Sequence, residues 1–454
     1  MPLITFRPRP TGGAAGFASP ELTPPPPSIK PPLWSLVDAQ SFYCSCERLF
    51  RPDLNDRPVV VLSNNDGCLI ALTPEAKTLG YKMGDVYHLM EKQLRRDKVA
   101  VFSSNYSLYG DISNRFMKTL ASLTPVIDQY SIDEAFVPFD KVLAANAYEV
   151  GWEIHERVRK WVGVPVRVGI GGTRTLAKLA NHWAKKKSRV YKLEPGSDEL
   201  EEILELTPAA DVWGIGSRLS ARLAGMGIVN ARQLRDMDLG RAKKCLSVVG
   251  QRTVLELRGI QCVMEDQPAP RKTMVSSRSF GRRVSRKEDI AQALAMHCTI
   301  AGERLRKEGL VARAIQVWMM TSRHQGDPYC CLNAHISLTL PSNITSEFIT
   351  AAGEALERCY EPGHGFMKGG IMLYELSDAD RRQMTLMEAA VTPAQDKKRA
   401  LMRALDQVND KYGRETMKFA AQGPEDAFWH MRREKMSGHM TTQWDELATA
   451  KADK

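Results

Sequence analysis

Apolar residues in this chain come as short unbroken runs interleaved with stretches of helical period, and the pattern changes character near residue 205. Leu33-Trp34-Ser35-Leu36-Val37 ends at Asp38 and predicts a buried strand over residues 33–38. Phe42, Cys46 and Leu49 recur at helical spacing over 40–50. Pro58 to Ser63 predicts a second buried strand, closed by the turn Asn64-Asn65-Asp66-Gly67. A short helix is expected from Pro74 to Leu79, ended by Gly80, and further helices over 116–123 and 146–161. Residues 126–137 read as two strand halves around Tyr130 to Asp133. Val164 to Ile170 reads as another strand, followed by Gly171-Gly172 and a helix from Thr173 to Lys187. Strands alternating with helices to about residue 200 predict an α/β or α+β core.

Beyond that point the period becomes helical. Residues 207–262 alternate helical patterns with Gly214-Ile215-Gly216 and Gly225-Met226-Gly227, which predicts a small all-helical module. Gln267-Pro268-Ala269-Pro270 reads as a linker. Residues 273–376 hold strand-like runs at 313–321, 332–340 and 370–376 and helical runs at 288–308 and 345–359, the pattern of a small α+β module. The remainder is helical and polar, without a clear core. Residues 1–32, rich in Pro, Gly and Ala and stiffened at Pro24 to Pro27, read as a flexible arm and not a signal peptide. No run reaches the ~18 consecutive apolar residues of a membrane span, so no membrane partner is expected.

Bulk numbers narrow the picture. A chain of 454 residues suggests roughly three or four domains. A hydrophobic content of 43% speaks for globular domains. The net charge of +10 suits a polyanion partner, although a soluble protein with a basic surface has the same charge. Nine cysteines, an odd number without paired Cys-x-x-Cys motifs, fit a reducing cytoplasm. Cys44, Cys46 and the adjacent Cys330 and Cys331 read as small buried packing residues.

Candidate chemistry centres on Tyr130-Ser131-Ile132-Asp133-Glu134-Ala135-Phe136, where two adjacent carboxylates interrupt an apolar, strand-like run. Uncompensated buried charge is costly, so the pair needs a cation, a basic partner or solvent. With Asp38 at a second strand end, three carboxylates could hold two divalent metals, an arrangement suited to phosphoryl or nucleotidyl transfer. A helix N-terminus follows Asp38 at once, and its amides favour a triphosphate. Competing readings are an ordinary N-cap at Asp38 and a solvated hairpin tip at Asp133-Glu134. Lys77, Lys178 and Lys185 are candidate cations for the triphosphate; the last two lie seven apart on one helix face, with Asn181 and His182 on or near it.

Two further segments suit a nucleic-acid backbone. Residues 211–227 suggest a helix–hairpin–helix in which Gly214 and Gly216 let amides approach a phosphate and Arg218 and Arg222 share a helix face. A tight turn between packed helices is the other reading. Seven Lys or Arg residues fall within 271–287, among them Arg278 and Arg282, interleaved with Ser276, Ser277 and Ser279. They suit sequence-independent phosphate contacts or, alternatively, a solvated segment.

Seven motifs, in order over residues 33–422, resemble the Y-family translesion DNA polymerases, and within them the UmuC-like catalytic subunit of bacterial DNA polymerase V. They are Asp38 to Glu47, Ser63 to Cys68, Ser103 to Tyr106 with Leu108-Tyr109, Tyr130 to Phe136, Leu176 to His182, Val212 to Gly216, and Ser277 to Gly281. The resemblance implies an α+β multidomain right hand. A palm and fingers core spans 33–205, a thumb with the helix–hairpin–helix 206–266, an α/β little finger 273–378 and a C-terminal interaction region 379–454. It implies error-prone, template-directed synthesis across damaged bases in the SOS response, by two-metal nucleotidyl transfer. Asp38, Asp133 and Glu134, with the Ala39 carbonyl, would hold two Mg²⁺ ions, or Mn²⁺. Tyr43 would be the steric gate against a ribose 2′-hydroxyl. Lys77 and Lys185 would contact the incoming triphosphate, and Gly214, Gly216, Arg218, Arg278 and Arg282 the DNA.

Implied partners are primer-template DNA, dNTP, a processed UmuD-like dimer, a RecA-type recombinase and a sliding clamp, in a cytoplasmic, nucleoid-associated setting. Gln383, Leu386 and Met387 resemble a clamp-binding peptide that ends in Met where an aromatic is common; an ordinary helix start reads equally well. The first twenty residues, including Ala15 to Pro20, resemble the start of the self-cleaving UmuD-like subunit. Its Ser/Lys protease domain does not follow, so no self-cleavage is expected. Two other readings use the same residues: another two-metal nucleotidyl-transfer enzyme such as a nucleotidyl cyclase, and a catalytically silent DNA-binding scaffold of a repair complex. The helix–hairpin–helix and basic segment argue against the first, and the complete carboxylate set against the second.

Overall fold

The computed structural model describes residues 32–447 except 125, 263–269, 323–327, 381–385, 414, 425–426, 428 and 442, with only the backbone for 386–394. The arm before Pro32, linker residues Gln267 to Ala269 and the clamp-like Gln383 lie outside the described residues, as do the side chains of Leu386 and Met387.

The first half of the chain builds two sheets. Its elements in order are β1 (Leu33–Ala39), α1 (Phe42–Leu49), β2 (Val59–Leu62), β3 (Leu69–Leu72), α2 (Pro74–Thr78), α3 (Tyr87–Arg96), β4 (Ala100–Ser103) and α4 (Tyr106–Ala121). There follow β5 (Asp128–Gln129), β6 (Glu134–Phe139), α5 (Lys141–Ala145), α6 (Ala147–Trp161), β7 (Val166–Gly171), α7 (Arg174–Ala184) and β8 (Val190–Lys192). The larger sheet runs β5-β6-β1-β7-β8. β1 is its central strand, covered on both faces, which is why its apolar run is unbroken. The smaller sheet runs β3-β2-β4, with β2 antiparallel to β3 and parallel to β4. A helix can lie on β7 only because that strand carries glycines: a Cβ on Gly169 would come within 2.2 Å of the Asn181 amide in α7. Asn181 then locks the contact by donating to the Leu36 and Arg167 carbonyls.

The helical module comprises α8 (Asp198–Leu206), α9 (Ser217–Ala224), α10 (Ala231–Asp236) and α11 (Leu239–Leu257). It is fastened to the first sheet by the buried Glu256, whose carboxylate accepts from the Thr175 amide at the start of α7. An acidic group is favoured there by the helix dipole.

The second α+β unit contains β9 (Thr273–Val284), α12 (Lys287–Lys307), β10 (Leu310–Met320), β11 (Cys331–Ser342), α13 (Thr345–Cys359) and β12 (Phe366–Asp378), followed by α14 (Leu386–Tyr412). Its antiparallel sheet has the order β11-β10-β12-β9. The basic segment 271–287, for which a solvated reading was open, is largely the edge strand β9: Met274, Ser276, Phe280 and Val284 are buried while Arg278 and Arg282 are exposed. A one-faced edge strand needs few apolar residues, so its period is easily missed. Two other expectations change. The region after 379, expected to lack a core, buries Met402, Leu405 and Trp429, and Asp406 accepts a two-pronged ion pair from Arg306 at 2.7 and 2.8 Å. Cys331, expected to be buried, is exposed, because β11 is an edge strand. All nine cysteines are free thiols.

Candidate active site

Pairing across the larger sheet brings distant charges into one row. β1 lies antiparallel to β6 and β7, with Asp38 opposite Glu134 on one side and Arg167 on the other. Directly opposed residues share a face, so Glu134, Asp38 and Arg167 form a cross-strand line. Asp133 sits at the tip of the β5–β6 hairpin. That tip is tied down from three directions: Ala39 N–H donates to the Asp133 carbonyl at 2.8 Å, the Ser113 hydroxyl to the Ile132 carbonyl at 2.6 Å, and the Ser131 hydroxyl to the Asp133 carboxylate at 2.6 Å. Asp133 and Glu134 therefore sit on a hairpin tip that is braced against β1 and α4 and only partly open to solvent. Asp38 is not an N-cap; Ser41 occupies that position in α1, in a left-handed conformation and without a side-chain cap bond.

The site sets three carboxylates against a rim of basic side chains. Burial, and then repulsion from Asp38, push the Asp133 carboxyl above the usual range, against the Ser131 hydrogen bond. Burial raises Glu134 as well, opposed mainly by the Lys178 ammonium at 3.1 Å. Asp38 is paired with Arg167. Among the described residues no three His, Cys, Asp or Glu side chains are already closed into a cation cage. Asp38 and Glu134 instead turn toward their basic neighbours. The donor set is nonetheless all-oxygen and anionic, crowded enough that Asp38 raises the proton affinity of Asp133 and Glu134, and so fits hard divalent cations.

A cleft of about 330 Å³ opens here, lined by Asp38, Glu134, Arg167, Lys178, His182 and Lys185 among others. Burial and then the nearby Arg167 lower the pKa of Lys185. Lys77 is exposed in α2 and close enough to Lys185 to lower its pKa further. Lys178 lies 4.4 Å from the Tyr130 ring and 5.4 Å from that of Trp213, the residue just before Gly214. Trp213 also donates to the Tyr130 hydroxyl at 3.2 Å, so the hairpin of the helical module is docked beside Glu134.

Tyr43 is half-buried in α1, stacked on Tyr109 with centroids 4.5 Å apart and 15° between planes, and edge-on to Tyr106 at 6.0 Å. It lies in the field of Asp133. Gly214 has φ +89° and is exposed with Gly216 and Arg218; Gly216 starts α9 without a side-chain cap, leaving the first-turn amides to other partners. Arg222 instead donates to the Cys245 carbonyl at 2.6 Å and serves the module's own packing.

Residue patterns alone missed Arg167, Tyr130, Trp213 and Tyr109 as parts of the site. Arg167 was legible by the logic already applied to Asp133, since it is a lone charge in the apolar strand Val166 to Gly171. Among the described residues no helix is long and apolar enough to cross a membrane.

Comparison with known proteins adds to this geometry. The model of the impB/mucB/samB family matches residues 37–182, and that of the family's C-terminal domain residues 271–386. A domain of unknown function (DUF4113) matches residues 399–450. The protein UmuC of Salmonella typhimurium (strain LT2) is 41% identical over 426 residues, covering 92% of this chain and 100% of its own. DNA polymerase IV 2 of Halalkalibacterium halodurans is 24% identical over 417 residues, covering 89% of this chain and 98% of its own. Among solved structures, a Y-family DNA polymerase chimera of Dbh and Dpo4 superposes with a TM-score of 0.59 at 19% identity, covering 76% of this chain and 98% of that one. At that identity the likeness speaks for the fold.

Proposed function

The chain belongs to the impB/mucB/samB family and is a UmuC-like, error-prone DNA-directed DNA polymerase of the Y family, and from that premise we propose that Asp38, Asp133 and Glu134 are its catalytic carboxylates and Tyr43 its sugar gate. The observation that carries this reading is the convergence of three carboxylates at adjoining strand ends, beside a cleft with its own cations.

Activity depends on a divalent cation, and the all-oxygen donor set favours Mg²⁺, with Mn²⁺ as a substitute. When bound, such ions supply the positive charge that eases deprotonation of a primer 3′-hydroxyl and offsets the charge of the leaving pyrophosphate. Asp38, Asp133, Glu134 and the Ala39 carbonyl would hold them. The protein's own contribution is positioning. The braced hairpin tip holds Asp133 and Glu134 against β1, and Lys77 and Lys185 attract the triphosphate. Arg167 and Lys178 pair with Asp38 and Glu134 and offset their charge.

We further propose the division into palm and fingers (33–205), thumb (206–266), little finger (273–378) and C-terminal interaction region (379–454). The amides at Gly214 and Gly216, with Arg218, grip one DNA backbone, and Arg278 and Arg282 on β9 another. Partners of this reading, beyond primer-template DNA and dNTP, are a processed UmuD-like dimer, a RecA-type recombinase and a sliding clamp held by Gln383, Leu386 and Met387. The setting is the nucleoid in the cytoplasm.

Primer extension tests the reading. Full-length protein with its accessory proteins should extend a primer on intact and abasic-site templates in Mg²⁺ and stop when the cation is chelated. No extension by wild type under those conditions rejects it. Phosphate contact by β9 has a separate check: Arg282→Ala should weaken DNA binding on every sequence alike and flatten the log–log salt dependence by about 1. An unchanged slope places the DNA elsewhere.

A further inference from the structure

The segment Trp429 to Gly438, inside the domain of unknown function, crosses from the little finger to the fingers and makes specific contacts with both. At the little-finger end, Trp429 is buried in the sheet's core and its carbonyl accepts from Gly281 N–H in β9 at 3.2 Å. Midway, the segment meets the Asn64-Asn65-Asp66 turn. The Arg432 amide donates to the Asn65 side chain and the Glu434 amide to Asp66, both at 3.0 Å. The same Asn65 side chain donates to the Ser279 and Phe280 carbonyls at 2.9 and 3.1 Å, so one asparagine binds segment and β9 together. At the fingers end, Lys435 exchanges two hydrogen bonds of 3.0 Å with Ser103. Buried Asn105 donates to the Ser437 carbonyl, the Ser437 hydroxyl oxygen and the Gly438 carbonyl, at 3.0–3.2 Å. Two motifs with no assigned role, Ser63 to Cys68 and Ser103 to Tyr106, are thus the seat of this strap.

The strap reaches the nucleotide gate by two routes. Asn105 also caps α4 through the Leu108 amide, and α4 carries Tyr106 and Tyr109, both in contact with the Tyr43 ring. Separately, Ser437 lies beside Glu47, a buried carboxylate that accepts from the Tyr109 hydroxyl at 2.7 Å. Tyr109 is the ring stacked on Tyr43. Glu47 follows Tyr43 by four residues, one turn along α1, so Glu47, Tyr109 and Tyr43 close a ring of contacts next to the strap.

We propose that Ser437, held by Asn105 at the start of α4 and lying beside Glu47, is a positioning residue for Tyr43, so that the C-terminal strap sets how strictly the enzyme excludes ribonucleotides. The inference rests on the reading of Tyr43 as the sugar gate. A buried hydrogen-bond network holds one geometry, and displacement of a reacting or excluding group by about 1 Å is enough to change a rate by about 10²-fold.

The test is single-nucleotide insertion by the full-length protein, comparing kcat and KM for a dNTP and the matching rNTP. Ser437→Ala should cut discrimination roughly fivefold, mainly through a lower KM for the ribonucleotide, with kcat for the deoxynucleotide within about twofold of wild type. Ser437→Thr, which keeps the hydroxyl, should restore it. Combined with Tyr109→Phe, Ser437→Ala should do no further harm, since both act on how the Tyr109 ring is seated against Tyr43. Unchanged discrimination in Ser437→Ala, or loss of kcat for both sugars together, overturns the proposal if Tyr43→Ala still relaxes discrimination in parallel. If Tyr43→Ala leaves discrimination intact as well, the gate assignment itself is what has failed.

Discussion

Asp133→Asn is expected to depress primer extension by about 10³-fold or more while DNA affinity stays within about twofold of wild type. The asymmetry follows from where the side chain sits. Asp133 lies on a hairpin tip braced by Ala39, Ser113 and Ser131 and is not part of the exposed basic strand β9, and asparagine can still accept from the Ser131 hydroxyl. Loss of activity would then report missing charge, not a collapsed hairpin. A second readout separates the two. The raised Asp133 carboxyl gives up stability as pH rises through its folded value, because the folded state holds the proton more tightly than the unfolded chain. At neutral pH and without divalent cation, the variant should therefore unfold at a higher temperature than wild type. Adding Mg²⁺ should raise the melting temperature of wild type more than that of the variant. Extension retained near the wild-type rate would remove Asp133 from the catalytic set.

Tyr43→Ala should relax sugar discrimination by about 10²-fold, measured as the ratio of kcat/KM for a dNTP to that for its rNTP. The ring is held face-on by Tyr109 and edge-on by Tyr106, so it presents a fixed wall. Exclusion by a wall depends on shape, and Tyr43→Phe should keep discrimination within about twofold of wild type. If alanine discriminates as tyrosine does, another side chain forms the wall. If phenylalanine loses as much as alanine, a hydrogen bond from the hydroxyl does the excluding.

The motif order and the alternation of strand and helix were enough to reach an α+β right-hand polymerase, because a central strand such as β1 must be apolar on both faces and its run is unmistakable. Asp38, Asp133 and Glu134 stood out for a related reason: charge inside such a run demands a partner. The same reasoning stopped short at β9, whose edge position lets basic residues mask the period, and at β3, β4 and α3, which are short or largely exposed. It also missed the first turns of α4, where Tyr106 and Tyr109 read as a motif without a surface to face.

By itself the amino-acid sequence determined the family, most element types of the larger sheet and which acidic residues interrupt apolar runs, since these depend on motif order, local period and the cost of burying charge. Only the tertiary structure decided that Asp38 faces Arg167, that Lys178 is held between Tyr130 and Trp213, and that Asn105 meets Ser437 across 332 positions of chain. Period reports that a face is covered; which distant segment covers it depends on how the sheets, thumb and C-terminal strap close on one another in space.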